Sequence, residues 1–231
     1  MLVAGFPAAA FGTNCYVVAA AAGERCVVVD PGVGVAEYLD EVLSTHRLEP
    51  AAVLLTHGHI DHTFSVTPVC GANDVPAYIH PDDADLLSDP ARGFGPAIEQ
   101  MFAAGLDWTE PPDVRPLPDD GSVQIAGMAI TVDHAPGHTR GSVLFRLPDA
   151  EDSRDLVLSG DVLFAGSIGR TDLPGGDYTA MMRSLATKIL PLADETVVLP
   201  GHGPRTTIGR ERTSNPYLAE AARTAAVAKG M

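Results

Sequence analysis

The sequence is poor in positive charge. Its 231 residues carry 15 Lys plus Arg against 30 Asp plus Glu, a net charge of −15. Lysine occurs only at Lys188 and Lys229. That balance argues against a nucleic-acid or anionic-membrane partner, because both need basic patches that release counterions. Cysteine is also scarce. Cys15, Cys26 and Cys70 are odd in number, far apart and never in a CxxC pair, so neither a disulfide framework nor a thiolate zinc site is indicated. They read as small buried hydrophobes. No apolar run reaches the ~20 residues that span a bilayer. The apolar start, MLVAGFPAAAFGTNCYVV, lacks a positive n-region, since the first basic residue is Arg25. It reads as the first strand pair of a cytoplasmic protein. No repeat, low-complexity tract or linker interrupts the chain.

What is present describes a soluble globular protein: 45% hydrophobic and 19% charged residues leave material for a sizeable core. At one domain per ~150 residues the length allows one or two domains. Short apolar runs alternate with helical patterns. Tyr16–Ala20, Cys26–Val29, Ala52–Leu55, Val75–Ile79, Ser122–Ile125, Ala129–Val132, Ser142–Leu147, Leu156–Ser159 and Val197–Leu199 read as strands. Asp30-Pro31-Gly32 reads as a turn. Val35–His46, Tyr178–Ile189 and Asn215–Ala228 read as helices, and His80-Pro81-Asp82-Asp83 opens a short one. The Pro- and Gly-rich stretch Asp89–Asp119 reads as a long loop with one helical turn around Pro96–Ala104. Strands and helices in both halves predict an α/β protein of two helix-covered sheets.

The histidines carry the chemistry. Three of eight fall in Thr56-His57-Gly58-His59-Ile60-Asp61-His62, directly after the apolar strand Val53-Leu54-Leu55. On extended backbone His57 and His59 project to one side; on a helix they would lie about 200° apart. Asp61 and His62 start the next element and can face the same point from another direction. Four N or O donors between positions 57 and 62 can hold one metal ion or parts of two sites. Three further strands run into His or Asp beside Gly: Ile130–Val132 into His134 and His138, Leu156–Ser159 into Asp161, and Val197–Leu199 into His202. Rigid strand ends are where sites are built. His46 and His80 read as surface or core residues, and His134 as a loop support. Four strand ends carrying His or Asp are a poor match to chance, because unpaired buried imidazoles and carboxylates are costly and a metal ion removes that cost.

Thr56–His62 matches the HxHxDH signature of the metallo-β-lactamase fold superfamily, and His138, Asp161 and His202 match its later ligand positions in order and approximate spacing. The resemblance covers essentially the whole chain. It is nearest the glyoxalase II (hydroxyacylglutathione hydrolase) branch in its short form, through Phe164–Asp172 and Gly201-His202-Gly203-Pro204. It implies a four-layer αββα sandwich forming a single domain over residues 1–231, without the helical glutathione-binding domain of the longer enzymes. It implies two divalent ions, zinc first and iron or manganese also suited. His57, His59 and His138 would bind the first; Asp61, His62 and His202 the second; Asp161 would bridge them. The implied reaction is thioester hydrolysis by a metal-bound hydroxide, with Asp61 also orienting it as a catalytic residue, and the implied partner is a small-molecule thioester.

The family's glutathione-contacting lysine falls at Arg170, the assigned substrate contact. Its two tyrosines fall at Asp172 and Pro204, so the thiol carrier stays open, as does the oligomeric state. Arg170 can equally pair with Asp172. A persulfide dioxygenase resembles the same motifs and would place one iron on His57, His138 and Asp161. A lactonase would use the same metals. The context Pro204 and Thr206–Gly209 is closer to the hydrolase form.

Overall fold

The computed structural model describes residues 1–94, 108–148 and 154–229. These form two six-stranded sheets. In the first, β1 (Leu2–Pro7), β2 (Asn14–Ala19), β3 (Arg25–Val29), β4 (Glu49–Leu54), β5 (Ala77–Ile79) and β6 (Val114–Pro116) lie side by side in chain order. The second has β7 (Asp120–Ile125), β8 (Met128–His134), β9 (Val143–Leu147), β10 (Leu156–Gly160), β11 (Val197–Pro200) and β12 (Thr206–Thr207), also in chain order. Strands β3 to β6 pair in parallel, as do β10 and β11. Parallel neighbours need a crossover. Ala36–His46 supplies one between β3 and β4, and the helical stretch Tyr178–Ile189 one between β10 and β11.

Side-chain alternation on the strands explains the layering. In β2, Cys15, Val17 and Ala19 turn toward Val35, Leu39, Val66 and Val69 on one side. Tyr16 and Val18 turn the other way, into a core shared with Ile130, Val132, Phe145 and Leu158 of the second sheet. The far face of that sheet, with Leu144, Val157 and Val198, packs on Met181, Leu185, Ile208 and Leu218. Three apolar interfaces therefore separate four layers, helix–sheet–sheet–helix, which is the expected αββα sandwich. Both faces of the central strands are buried, so Val27-Val28-Val29 is a continuous apolar run rather than an alternating one. No helix among the described residues is long and apolar enough to cross a membrane.

The structure departs from the sequence reading in particular places. Val114–Pro116 is a short edge strand inside the stretch read as loop; Pro116 ends it, which an edge tolerates. The turn expected around Pro96–Ala104 lies outside the described residues. Val66–Asn73 is helical despite Pro68 and Gly71. Pro68 sits in the first turn, where backbone N–H groups have no intrahelical acceptor. Ile208–Ser214 forms a further short helix, capped by the Thr207 side chain accepting from the Arg210 N–H. The helix from Tyr178 is α-helical to Ser184 and closes in a wider π turn over Leu185–Ile189.

Candidate metal centre

Strands β3, β4, β8, β10 and β11 deliver the polar residues at their C-terminal ends. After β4 the chain bends at Thr56 and His57, is extended at His59 (φ −68°, ψ 140°), then turns into the short helix Ile60–Thr63. His57 and His59 are thus presented from the loop that leaves β4, and Asp61 and His62 from the helix. His138 follows β8, Asp161 follows β10 and His202 follows β11. All seven assigned residues converge. Ligand atoms of His57, His59 and His138 lie within 4.8 Å of one another, as do those of Asp61, His62 and His202, and those of His57, His62 and Asp161. Six of the seven are buried; the His202 side chain is 28% exposed and marks the open side.

Asp161 stands between the two groups. Its Oδ1 is 3.3 Å from His62 Nε2, and its Oδ2 is 3.5 Å from His138 Nε2 and 3.6 Å from His202 Nε2. Asp61 Oδ2 lies 3.2 Å from His202 Nε2 and accepts a 3.2 Å hydrogen bond from Thr13 Oγ1. His59 Nδ1 and His138 Nε2 are 2.9 Å apart.

The outer sides of the rings are held by the fold. The Arg170 carbonyl oxygen, 2.7 Å from His138 Nδ1, can only accept, so Nδ1 carries the proton and, in the neutral ring, Nε2 turns a lone pair inward. His62 Nδ1 lies 3.0 Å from Asp30 Oδ2, and Thr56 donates to both Asp30 oxygens, from its N–H (2.8 Å) and its hydroxyl (2.6 Å). Asp30 takes φ +51°, a left-handed conformation that aspartate tolerates better than most residues. Sequence reading assigned Asp30 to a turn and missed this support. The available signal was its place at a strand end, after Val29, like the other site residues.

Electrostatics separates the imidazoles. Burial lowers His57 strongly, and lowers His59 to about 3, with neighbouring imidazoles adding to both shifts. Burial raises Asp61 and Asp161, but the facing histidines, His62 foremost, outweigh it and hold both carboxyls below their ordinary range. Burial lowers His62 and His202, but Asp61 and Asp161 outweigh it and raise both. Each carboxylate and the imidazoles that face it thus favour one another's charged forms.

His57 Nε2 is buried without a hydrogen-bond partner. An orphaned buried polar atom costs about 1–3 kcal/mol, and the inward-facing set of five imidazoles and two carboxylates is the donor chemistry of zinc, iron or manganese. The residues fit one or two divalent ions. Space around them is closed: a Cβ on Gly201 would stand 2.2 Å from Asp161 Oδ1 and 2.7 Å from His62 Cε1. Gly201→Ala is accordingly expected to displace Asp161 and lower metal content by at least one ion per chain. Elemental analysis of the purified variant checks this, and unchanged content contradicts it.

The other assigned and excluded residues separate clearly. Arg170 directs its guanidinium outward, 60% exposed, in a two-point pair with Asp172 at 2.8 Å. Only its carbonyl reaches the centre. His134 supports its loop, with Nε2 2.8 Å from the Arg140 oxygen, and stacks on His80 at 4.0 Å. His80, Asp82 and His134 form another close group, but His80 accepts from the Asp82 N–H and faces Asp119 at 3.0 Å, so both its nitrogens are engaged. The three cysteines are free and buried, and burial pushes the Cys26 and Cys70 thiols to about 12.

Comparison with known proteins agrees with this geometry. The sequence profile of the metallo-β-lactamase superfamily matches residues 8–202. Hydroxyacylglutathione hydrolase GloC of Haemophilus influenzae is 34% identical over 222 residues, covering 92% of this chain and 95% of that protein. The crystal structure of BLEG-1 B3 metallo-β-lactamase is 38% identical with a TM-score of 0.82, covering 94% of this chain and 99% of that one. TTHA1623, crystallised in a di-iron-bound form, is 40% identical with a TM-score of 0.76, covering 93% and 100%. By profile, identity and fold, this chain belongs to the metallo-β-lactamase superfamily.

Proposed function

We propose that the protein is a cytoplasmic binuclear metallohydrolase that cleaves a small-molecule thioester, of the hydroxyacylglutathione type or a related acyl-thiol. The observation that carries the reading is Asp161 lying between two three-residue groups, with one carboxylate oxygen 3.3 Å from His62 and the other 3.5 Å from His138. The 34% identity to a hydroxyacylglutathione hydrolase supports the thioester. His57, His59 and His138 would hold one ion, and Asp61, His62 and His202 the other. Divalent ions there supply Lewis acidity, which polarises a carbonyl and makes water nucleophilic at neutral pH.

The chain's own residues do the positioning. Thr13 fixes Asp61, so the carboxylate keeps one orientation toward the reacting water. Phe94 meets the His59 ring edge-on at 4.9 Å and Phe164 meets His202 at 5.9 Å, limiting access of bulk solvent on either side. The substrate carbonyl enters by the exposed His202 side. A thiolate leaves without strong acid assistance, and no residue is required to protonate it.

The test is metal content per chain on protein purified without added metal, with S-lactoylglutathione hydrolysis on the same sample. About two ions with turnover supports the reading. One iron without hydrolysis, but with oxygen uptake on glutathione persulfide, replaces it by a dioxygenase using His57, His138 and Asp161. Arg170→Ala separates a substrate contact from a surface pair. An exposed ion pair contributes about 0–1 kcal/mol, so the melting temperature should hold; a several-fold rise in KM at constant kcat makes the guanidinium a substrate contact in spite of its Asp172 pair. Unchanged KM removes Arg170 from the substrate site.

A further inference from the structure

Asp83 is a buried carboxylate that the hydrolysis itself does not use. It is 1% exposed and ends the single turn Pro81–Asp83 that follows β5. Its partners are neutral donors. Oδ2 accepts from the Gly58 N–H at 2.9 Å and the Thr139 hydroxyl at 2.6 Å; Oδ1 accepts from the Gly141 N–H at 2.7 Å. Burial pushes its carboxyl upward, against these hydrogen bonds. A carboxylate taken out of water with no cation beside it is costly unless its oxygens are well satisfied. The fold supplies the donors by close approach. A Cβ on Gly141 would stand 2.7 Å from Asp83 Cγ, and one on Gly58 2.9 Å from the Asp83 carbonyl oxygen.

The positions of those donors are informative. Gly58 lies between His57 and His59, and Thr139 directly follows His138. One side chain thus ties together the two segments that supply the trio His57, His59 and His138. One segment leaves the first sheet and the other the second. The remaining trio rests on other supports. His62 leans on Asp30, which also reaches His57 through the Thr56 hydroxyl (3.1 Å from His57 Nδ1), and Asp61 leans on Thr13, which also forms an isolated β-bridge with His202.

We infer that Asp83 is a positioning residue that sets the metal affinity of the His57/His59/His138 position, while the Asp61/His62/His202 position is braced through Asp30 and Thr13 rather than through Asp83. The inference rests on the binuclear reading above. Partners of this kind that orient metal ligands change metal affinity by about 10–100-fold when removed.

Chelator competition on zinc-loaded full-length protein tests it, reading zinc retained per chain. Asp83→Asn should release one of two ions at about 10–100-fold lower chelator strength and hold the other as the wild type does. The ion is assigned by background. In His202→Ala, which leaves the first trio intact, adding Asp83→Asn should weaken the remaining ion; in His59→Ala it should leave zinc affinity unchanged. Thr139→Val removes one hydroxyl at nearly constant volume and should shift the same ion less. It carries the test if circular dichroism shows Asp83→Asn unfolded. Equal weakening of both ions, or of neither, overturns the inference. A wild type holding fewer than two ions overturns the binuclear reading first, and this inference with it.

Discussion

Asp61→Ala and His59→Ala are each expected to lower thioester hydrolysis by well over about 100-fold, since even partners outside the ligand set cost about 10–100-fold. The two variants fail for different reasons. Asp61 Oδ2 faces His202 at 3.2 Å and His62 at 3.6 Å, and Asp61 together with Asp161 raises both imidazoles. Its removal leaves the second trio with imidazoles only. His59 offers Nδ1 beside His138 Nε2, and its loss leaves the first trio with two donors. Both side chains end among polar groups and not in an apolar core, so circular dichroism should stay close to wild type. Metal content and turnover measured on one sample check the result. Near-normal turnover with full metal content in either variant would refute the assignment.

Phe145→Ala is expected to have the largest effect on stability. Phe145 lies at the middle of β9, fully buried in the core between the sheets, across from Val132 of β8 and Leu158 of β10. Emptying such a position costs about 3–5 kcal/mol, from the lost transfer free energy and the residual cavity. For a chain of this size that is a fall in melting temperature of roughly 10 °C. Bound metal would add its own stabilisation by linkage, so the comparison belongs on chelated protein. β8 and β10 also carry His138 and Asp161 at their ends, so a loosened core should weaken metal retention as well. A melting temperature within about 2 °C of wild type would contradict the packing described.

Much of the site was legible because ligands and strand share one short segment. Val53-Leu54-Leu55 announces a buried strand, and the polar residues after it have no reason to be buried there except a common task. The same logic found His138, Asp161 and His202, and excluded His134. It failed at Asp30 and Asp83. Their partners lie 26 residues away at Thr56 and 58 away at Gly141, and each looks locally like a turn or helix-start residue. Short-range signals also misled at Pro116, which ends an edge strand inside the stretch read as loop.

The amino-acid sequence by itself determined the apolar strands, their polar C-terminal ends and the donor chemistry, because periodicity and residue type are local properties. Only the tertiary structure decided which donors share an ion. His57, His59, Asp61 and His62 come from the first sheet, and His138, Asp161 and His202 from the second. What brings them within hydrogen-bond distance is the burial of Tyr16, Val18, Ile130, Phe145 and their neighbours between the two sheets. That apolar contact is non-directional and long-range in sequence, so no local pattern encodes it. The same packing turned Arg170 outward onto Asp172 and left only its carbonyl to orient His138.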